Sequence, residues 1–285
     1  NYKTFMLYLS KLTIDQAVDL NDPNSAYAQL EIANSSIDNA STMTGTNNRQ
    51  VAIAQENGND TAGNGYDASE VTLTNTATGS INLTGDESTG IYAKRGLIFN
   101  DGQISVGKKS TGIYIVEDDR SPVGAVAGAR AINSSTGVIT IGEDSTGMYY
   151  KVDPDNSDGR GTNTSVGGGI SNDGKIESTA NNVIAMSFDS PYASKTMENS
   201  ATGVIDLQGQ NSTGMFATGS GTYTAVNNGT IKLASSSNVN TPNIGMYTDK
   251  DTITLENNGT IEGGDKTVGI YGYNANLGAT STTKV

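Results

Sequence analysis

The stretch Ser110-Thr111-Gly112-Ile113-Tyr114 is one copy of a phrase that recurs along the chain and decides its fold. The glycine of this phrase recurs at Gly90, Gly112, Gly147, Gly214, Gly245 and Gly269, and Ala52 and Ala185 replace it in two degenerate copies. The shortest interval, from Gly90 to Gly112, is 22 residues, which is the length that one coil of a three-strand solenoid needs. The eight copies therefore predict about eight stacked coils, each hiding its apolar face against its neighbours.

The residue after this glycine is apolar in every copy, which predicts a side chain that points into a core. It is Ile53, Ile91, Ile113, Met148, Met186, Met215, Met246 and Ile270 in turn. Two residues earlier stands a β-branched residue, and the period of two in a strand predicts that it shares this inward face. These residues are Val51, Thr89, Thr111, Thr146, Ile184, Thr213, Ile244 and Val268.

A second phrase, Gly-x-Ile after an asparagine, alternates with the first, as in Asn257-Asn258-Gly259-Thr260-Ile261. Its isoleucine recurs at Ile37, Ile81, Ile104, Ile139, Ile176, Ile205, Ile231 and Ile261. Polar residues follow this isoleucine, so that apolar and polar side chains alternate as in a half-buried strand. A third strand is readable before each asparagine, for example at Leu97-Ile98-Phe99. The sequence therefore predicts an all-β protein, a right-handed parallel β-helix with three strands per coil.

The asparagine of the second phrase predicts a polar ladder at one corner of the rod. It occurs at Asn75, Asn100, Asn133, Asn172, Asn199, Asn227 and Asn257, and Asn34 is a looser match. Asparagine tolerates the left-handed conformation of turns, and stacked amides can hydrogen-bond from coil to coil. The alternative is a set of ordinary turn asparagines exposed to solvent.

The first 24 residues depart from the repeat. Tyr2, Phe5, Leu9 and Leu12 fall at helical spacing, and Asp22-Pro23 would end the segment, which predicts a short capping helix over residues 1–24. An irregular preceding coil is the alternative. Residues 25–285 form the predicted rod. The residues in excess of the shortest coil predict loops near 55–69, 117–128, 153–168, 189–195 and 235–243.

The composition excludes several classes of chemistry. The 285 residues contain no cysteine and no histidine, so there is no thiolate or imidazole nucleophile, no zinc site of these ligands and no disulfide. The net charge of −13 disfavours nucleic acid and anionic lipid as partners. No apolar run is long enough for a transmembrane helix, so we expect no membrane insertion. The start lacks an initiator Met and a signal peptide, and we interpret the chain as an internal fragment.

The phrases Ser110 to Tyr114, Asn227 to Ile231 and Thr267 to Tyr271 resemble the passenger repeats of large fusobacterial autotransporter adhesins of the RadD type. The likeness covers roughly residues 34–273. It implies a type V secreted passenger outside the cell, anchored to the bacterial surface through an outer-membrane barrel that is not part of this sequence. The implied partners are a host cell-surface receptor or glycan, or a surface protein of another bacterium. No cofactor is implied.

One loop has a weak metal-binding pattern. The oxygen-rich run Asp153-Pro154-Asp155-Asn156-Ser157-Asp158-Gly159 resembles the start of a calcium loop, with Asp153, Asp155 and Asp158 as candidate ligands. It has one residue too many before the glycine for an EF-hand, and no Glu follows at the right distance. A solvated acidic loop is the alternative.

The loops at 117–128 and 153–168 are the predicted contact site, because a repetitive face offers a partner many equivalent registers whereas loops do not. The candidate ligand-binding residues are Asp118, Asp119, Arg120, Tyr149, Tyr150 and Arg160. Tyr and Arg often anchor interfaces. A disordered insertion is the alternative for both loops.

The aromatic residue after the inward Ile or Met should face outward, and this column is Tyr92, Tyr114, Tyr149, Phe216, Tyr247 and Tyr271. It would serve as a platform for sugar rings or simply stack side by side. Two other functions are open: a plain spacer, and a β-helix polysaccharide lyase or hydrolase. The enzyme needs converging carboxylates, whereas the expected outward column mixes charges, at Asp38, Glu177, Asp206, Lys232 and Glu262. We therefore predict a non-enzymatic adhesin.

Overall fold

The computed structural model is a parallel β-helix. It describes residues 4–8, 11–21, 29–33, 36–55, 72–94, 96–118, 128–153, 167–192, 195–272, 277–278 and 282–284. Within these residues the chain is all-β and contains no helix. Thirty strands form three parallel sheets of ten strands each. The predicted fold class is confirmed; the right-handed winding stays a prediction.

The strands are numbered along the chain, and every third strand joins the same sheet. Sheet A contains β1 (Thr4–Tyr8), β4 (Gln29–Ala33), β7 (Val51–Gln55), β10 (Thr89–Lys94), β13 (Thr111–Asp118), β16 (Thr146–Asp153), β19 (Ile184–Asp189), β22 (Thr213–Thr218), β25 (Asn243–Thr248) and β28 (Thr267–Gly272). Sheet B contains β2 (Lys11–Ile14), β5 (Ser36–Asn39), β8 (Thr72–Asn75), β11 (Leu97–Asn100), β14 (Arg130–Asn133), β17 (Gly169–Asn172), β20 (Thr196–Asn199), β23 (Thr224–Asn227), β26 (Thr254–Asn257) and β29 (Leu277–Gly278). Sheet C contains β3 (Val18–Asp19), β6 (Thr42–Gly45), β9 (Ser80–Leu83), β12 (Gln103–Val106), β15 (Val138–Ile141), β18 (Lys175–Ser178), β21 (Val204–Leu207), β24 (Thr230–Leu233), β27 (Thr260–Gly263) and β30 (Thr282–Lys284).

The described residues make ten coils rather than the eight expected. The two additional coils, β1 to β3 and β4 to β6, lack the Gly-Ile-Tyr phrase and pair in register with the coils that follow. The predicted N-terminal helix is wrong, because Thr4–Tyr8 and Lys11–Ile14 are strands. Phe5 and Leu12 belong to two different strands, which explains their misleading helical spacing. The alternative, a preceding coil, is what the structure shows, so the rod begins before residue 25.

The apolar column of sheet A lies in the core, and each member pairs with its counterpart in the next coil. The pairs Ile91↔Ile113 and Ile113↔Met148 illustrate it. The fully buried members are Ile53, Ile91, Ile113, Met148, Met186, Met215 and Met246, and Ile270 is partly buried. The β-branched residues two positions earlier do not share this face: Thr89 is partly exposed, whereas Gly90 and Ile91 are both buried. The alternation of inward and outward side chains shifts by one residue at the glycine. The prediction that the β-branched residues share the inward face is therefore wrong.

Close packing between coils explains why the first phrase contains a glycine. A Cβ placed on Gly90 would lie 2.5 Å from the carbonyl oxygen of Gly112 and 2.9 Å from Cγ2 of Ile104. Ile104 belongs to the second phrase, so the two phrases pack against each other inside each coil. Ala52 and Ala185 are fully buried at the same position, which shows that two coils accommodate the methyl group.

The isoleucine column of sheet C differs from the prediction at its first position. Met43, not Ile37, pairs with Ile81, and Val18 of the first coil pairs with Met43. Ile37 is buried in sheet B, where it pairs with Leu73. The other predicted members, all buried, are Ile81, Ile104, Ile139, Ile176, Ile205, Ile231 and Ile261.

A buried asparagine ladder runs along the end of sheet B. In seven consecutive pairs, the Nδ2 of one asparagine donates to the Oδ1 of the asparagine in the next coil, over distances of 2.6–2.8 Å. The ladder is Asn39, Asn75, Asn100, Asn133, Asn172, Asn199, Asn227 and Asn257, each at most 1% exposed. Asn34 lies outside the described residues, and Asn39 holds its expected place. The exposed-turn alternative is therefore wrong for these asparagines.

The left-handed residues other than glycine lie at another corner, ahead of sheet A, and not in the asparagine ladder. They are Arg49, Glu87, Lys109, Asp144, Asn182, Asn211 and Lys266, with φ between 53° and 61°. A buried serine usually follows them and forms a second polar ladder, which sequence reasoning missed. Within it, the backbone N–H of Ser88 donates to Oγ of Ser110, and that of Ser110 to Oγ of Ser145, both at 2.9 Å.

The predicted loops are only partly within the described residues. Residues 56–71, 119–127, 154–166 and 193–194 lie outside them. The loop near 235–243 is described in full, and its tip residue Val239 is 65% exposed. Two strands, β13 and β16, continue into the predicted loops at 117–128 and 153–168.

We predict that inward and outward substitutions in β13 differ sharply. Ile113→Asp should lower the free energy of unfolding by about 3 kcal/mol or more, because it buries an unpaired carboxylate. Tyr114→Ser should lower it by about 1 kcal/mol, through the loss of the ring contacts with Tyr92 and Tyr149. Urea denaturation followed by circular dichroism measures both. Equal losses would show that the inward and outward assignment is wrong.

We also predict that the interior of the asparagine ladder is a major source of stability. Asn133→Ala should lower the free energy of unfolding by about 2 to 4 kcal/mol, because it strips the partners from the buried amides of Asn100 and Asn172. Asn258→Ala is the matched control, since Asn258 is exposed beside the ladder. Denaturation midpoints that shift equally in the two variants would contradict a structural role for the ladder.

Candidate functional site

Two neighbouring strands of sheet A are longer than the others and bring two predicted loops together. Most strands of this sheet have five or six residues, whereas β13 and β16 have eight. Their added ends pair residue for residue, so that Asp118 lies opposite Asp153. Beyond the loops, the backbone N–H of Gly169 donates to the carbonyl oxygen of Ala129 at 2.9 Å. Both insertions therefore leave and re-enter the rod side by side.

The structure places only part of the predicted contact site. Asp118 ends β13, and Asp153 ends β16. Asp119, Arg120, Asp155, Asp158 and Arg160 lie outside the described residues. The charged residues of the predicted contact site and the calcium loop thus stay predictions. Within the described ranges, no three carboxylate side chains are grouped so as to hold a metal ion.

The two predicted tyrosines face opposite sides of β16. Tyr149 is partly exposed and its ring stacks on Tyr114, with centroids 5.0 Å apart. Tyr150 is fully buried and stacks on Phe188, with centroids 4.6 Å apart. The prediction that Tyr150 contacts a ligand is wrong, because consecutive residues of a strand point to opposite faces.

Beneath the loop bases lies a buried ionic cluster that sequence reasoning missed. Lys195 Nζ donates to Oε1 of Glu117 at 2.7 Å, and the two side chains are 1% and 3% exposed. The hydroxyl of Tyr150 donates to the other carboxylate oxygen of Glu117. Lys195 Nζ also donates to the carbonyl oxygen of Gly167 at 2.8 Å. The cluster joins segments 78 residues apart in sequence, at the point where the insertions leave the rod.

Glu117 and Lys195 escaped prediction because both were assigned to exposed loops. A signal for Glu117 exists in hindsight: it continues the inward alternation of Ile113 and Ile115. Lys195 immediately precedes β20, and the residue immediately before β26, Ile253, is buried and apolar. Removing one partner of a buried ion pair typically costs about 3 to 5 kcal/mol, so the cluster ties the coils together around the loop bases.

Burial also raises the pKa of three tyrosines in this part of the rod. Burial, followed by the negative charge of Glu117 and its hydrogen bond, raises the pKa of Tyr150 well above its ordinary value. Burial is also the main reason why the pKa of Tyr223 is raised. Burial, then Tyr114 and Asp189, raises the pKa of Tyr149 to about 12. All three hydroxyls therefore stay protonated at neutral pH.

The outward aromatic column contains two stacked ring pairs, whereas Tyr92–Tyr114 and Tyr247–Tyr271 are tilted, at 57° and 37°. The planes of Tyr114 and Tyr149 are 7° apart, and those of Phe216 and Tyr247 are 16° apart. Rings that face each other in this way offer mainly their edges to solvent. Side-by-side stacking therefore accounts for the column better than a sugar platform does. Tyr271 is the most exposed of these rings, at 48%.

The carboxylates of sheet C are the nearest approach to an enzyme-like arrangement. Glu177 lies opposite Asp206 on the next coil, and Lys175 bridges both, at 2.5 Å and 3.7 Å. All three side chains are at least a quarter exposed to solvent. Asp38 does not belong to this column, because it lies in sheet B and pairs with Lys11. The pair of carboxylates is thus neutralised by a surface lysine.

Comparison with known proteins adds no relative: no protein family, no curated protein and no solved structure matches this chain. A search of the described ranges found no helix long and apolar enough to span a membrane.

We predict that Tyr149 makes stability fall with rising pH in the alkaline range. Its folded pKa of about 12 exceeds the ordinary value of 10.0, so only the unfolded chain releases this proton between these values. The stability contribution is therefore complete below about pH 10 and is lost as the pH rises through about 12. Tyr149→Phe should decline less steeply in melting temperature over this range. Parallel curves for variant and parent would contradict the assignment.

Proposed function

We propose that this chain is part of a surface-displayed adhesin passenger, whose β-helical rod carries contact loops to another bacterium or to a host cell. The observation that carries the proposal is the register of β13 and β16. It places the bases of two insertions side by side on a rigid support. The attachment partner would be a surface protein, a receptor or a glycan outside the cell.

The rod has the mechanical character that this role needs. Ten coils rise about 4.8 Å each, so the described part would be roughly 45 Å long. Its core contains continuous columns of buried aliphatic residues and a ladder of amide hydrogen bonds. Loops on such a support can be presented in a fixed place, which favours recognition.

Acidic composition and repeated faces support contact through loops. Adjacent coils present nearly the same outward columns, so a partner on a bare face would meet several equivalent registers. The insertions at 117–128 and 153–168 break this equivalence at one point of the rod. The residues predicted there include Arg120 and Arg160, positive charges in a chain of net charge −13.

A spacer role is the second candidate, and the uniformity of the rod favours it. The buried columns and the asparagine ladder run through the described coils with few changes. In this role the same rod would hold a distant contact site away from the cell, and its own loops would bind nothing.

Attachment of beads that carry the purified chain tests the proposal. Beads with the parent chain should bind bacterial or epithelial cells, whereas replacing both 119–127 and 154–166 by short Gly-Ser links should reduce binding by at least about tenfold, the loss of a few anchor residues. The deletion retains Glu117 and Lys195. Circular dichroism and the melting temperature establish that the variant is folded.

The described loop of residues 235–243 provides the matched control. Shortening its exposed tip, residues 237–240, should leave attachment unchanged. Undiminished binding by the folded double deletion would refute the loop site. Failure of the parent chain to bind any surface would favour the spacer.

A further inference from the structure

The cluster of Glu117, Lys195 and Tyr150 has the geometry of a reactive centre within the core. The amine of Lys195 and the carboxyl group of Glu117 are 2.7 Å apart and almost completely excluded from solvent. Two other pairs at similar distances, Lys108–Glu143 and Lys175–Glu177, are substantially exposed. Among the ion pairs of the described residues, Lys195–Glu117 is therefore the one that combines direct contact with exclusion of water.

Burial changes the balance between ion pair and amide. Two charges removed from water are stabilised poorly, and their cost is recovered only through good geometry and further hydrogen bonds. An amide made from the same atoms carries no charge. Fixed contact between two reacting groups also replaces a bimolecular encounter, which is a large kinetic advantage. The site thus disfavours the charged reactants and holds them in place.

We propose that Lys195 and Glu117 are a modification site: they form an intramolecular amide cross-link with loss of one water molecule. A proton first moves from Nζ to the carboxylate, which leaves a neutral amine and a carboxylic acid. The Nζ lone pair then forms a bond to Cδ of Glu117. The bond from Cδ to Oε2 breaks, and the hydroxyl group leaves as water. No oxidant or cofactor is needed.

Tyr150 is the group placed to assist this step. Its hydroxyl donates to Oε2, the oxygen that leaves. Oε2 takes this proton together with the one that the carboxyl group received from Nζ, and it leaves as water. The second proton that Nζ loses returns to Tyr150, which is therefore unchanged. The backbone carbonyl of Gly167 already accepts a hydrogen bond from Nζ.

The surrounding hydrogen bonds suit the product. An amide has one N–H to donate and one carbonyl oxygen to accept. The carbonyl oxygen of Gly167 already accepts from Nζ and would keep this bond to the amide N–H. The chain has no cysteine, so this bond would be its covalent clamp in place of a disulfide. It would join β13 to the segment before β20 beneath the two loop bases.

Mass spectrometry of the denatured parent chain tests the proposal directly. The expected result is a mass lower than that of the sequence by one water molecule. Digestion with trypsin should yield a branched peptide in which residues 110–120 are attached to residues 176–232, uncut at Lys195. The peptide of residues 161–175 should be recovered in linear form, with complete cleavage after Lys175, because the exposed Lys175–Glu177 pair does not react.

Two variants separate this cross-link from other losses of water. Dehydration at Asp101-Gly102 or Asp173-Gly174 would give the same mass change but only linear peptides. Lys195→Met should restore the full mass. Tyr150→Phe keeps the ring that packs on Phe188 and removes only the hydroxyl, so the cross-linked fraction should fall at least several-fold in a refolding time course.

A folded parent chain with full mass and separate linear peptides would overturn the proposal and leave a buried ion pair. A cross-link formed equally fast in Tyr150→Phe would overturn the role of Tyr150. Neither result depends on attachment, so the cross-link stands or falls separately from the adhesin proposal.

Discussion

Stacking of equivalent residues at the spacing of β-strands is the constraint on which this structure depends. Every coil places its side chains directly over those of the coil before it, so a polar residue that repeats from coil to coil as a buried column is best satisfied when it can bond to its own kind. Asparagine meets this condition, since its amide has both a donor and an acceptor along the rod axis. The resulting chain of hydrogen bonds from Asn39 to Asn257 is fully buried. Charged residues do not satisfy the condition, because like charges would stack.

The same constraint explains the two repeated phrases. Coil-to-coil approach at the glycine is so close that a Cβ would meet the backbone of the next coil and the isoleucine of the second phrase. The serine that precedes Thr-Gly accepts a hydrogen bond from the backbone of the preceding coil. The phrases are therefore packing rules, and they carry no information about a ligand.

The proposed contact function is assigned to the places where the repetition fails. The clearest is the extension of β13 and β16, where two insertions leave the rod in register. Directly beneath it the core contains Glu117, Tyr150 and Lys195, whereas neighbouring coils contain apolar residues. Because both departures occur at one level of the rod, we interpret the cluster as support for the insertions. The proposed contact loops would need a base that does not unravel under load, and a buried clamp would provide one.

The sequence alone determined the fold class, the three-strand coil, the main core columns and most of the asparagine ladder, because strict in-register stacking makes local phrases equivalent to spatial columns. It failed at the first two coils, where the phrase is absent and strand residues such as Phe5 and Leu12 imitate helical spacing. It also misplaced Thr89, since a phase shift at glycine cannot be read from alternation. Only the tertiary structure decided that Tyr150 is inside and that Lys195 meets Glu117. Their contact joins residues 78 positions apart. Which residues meet there depends on how far each strand continues before its loop begins. That length is set by pairing with the neighbouring coil and not by any local pattern.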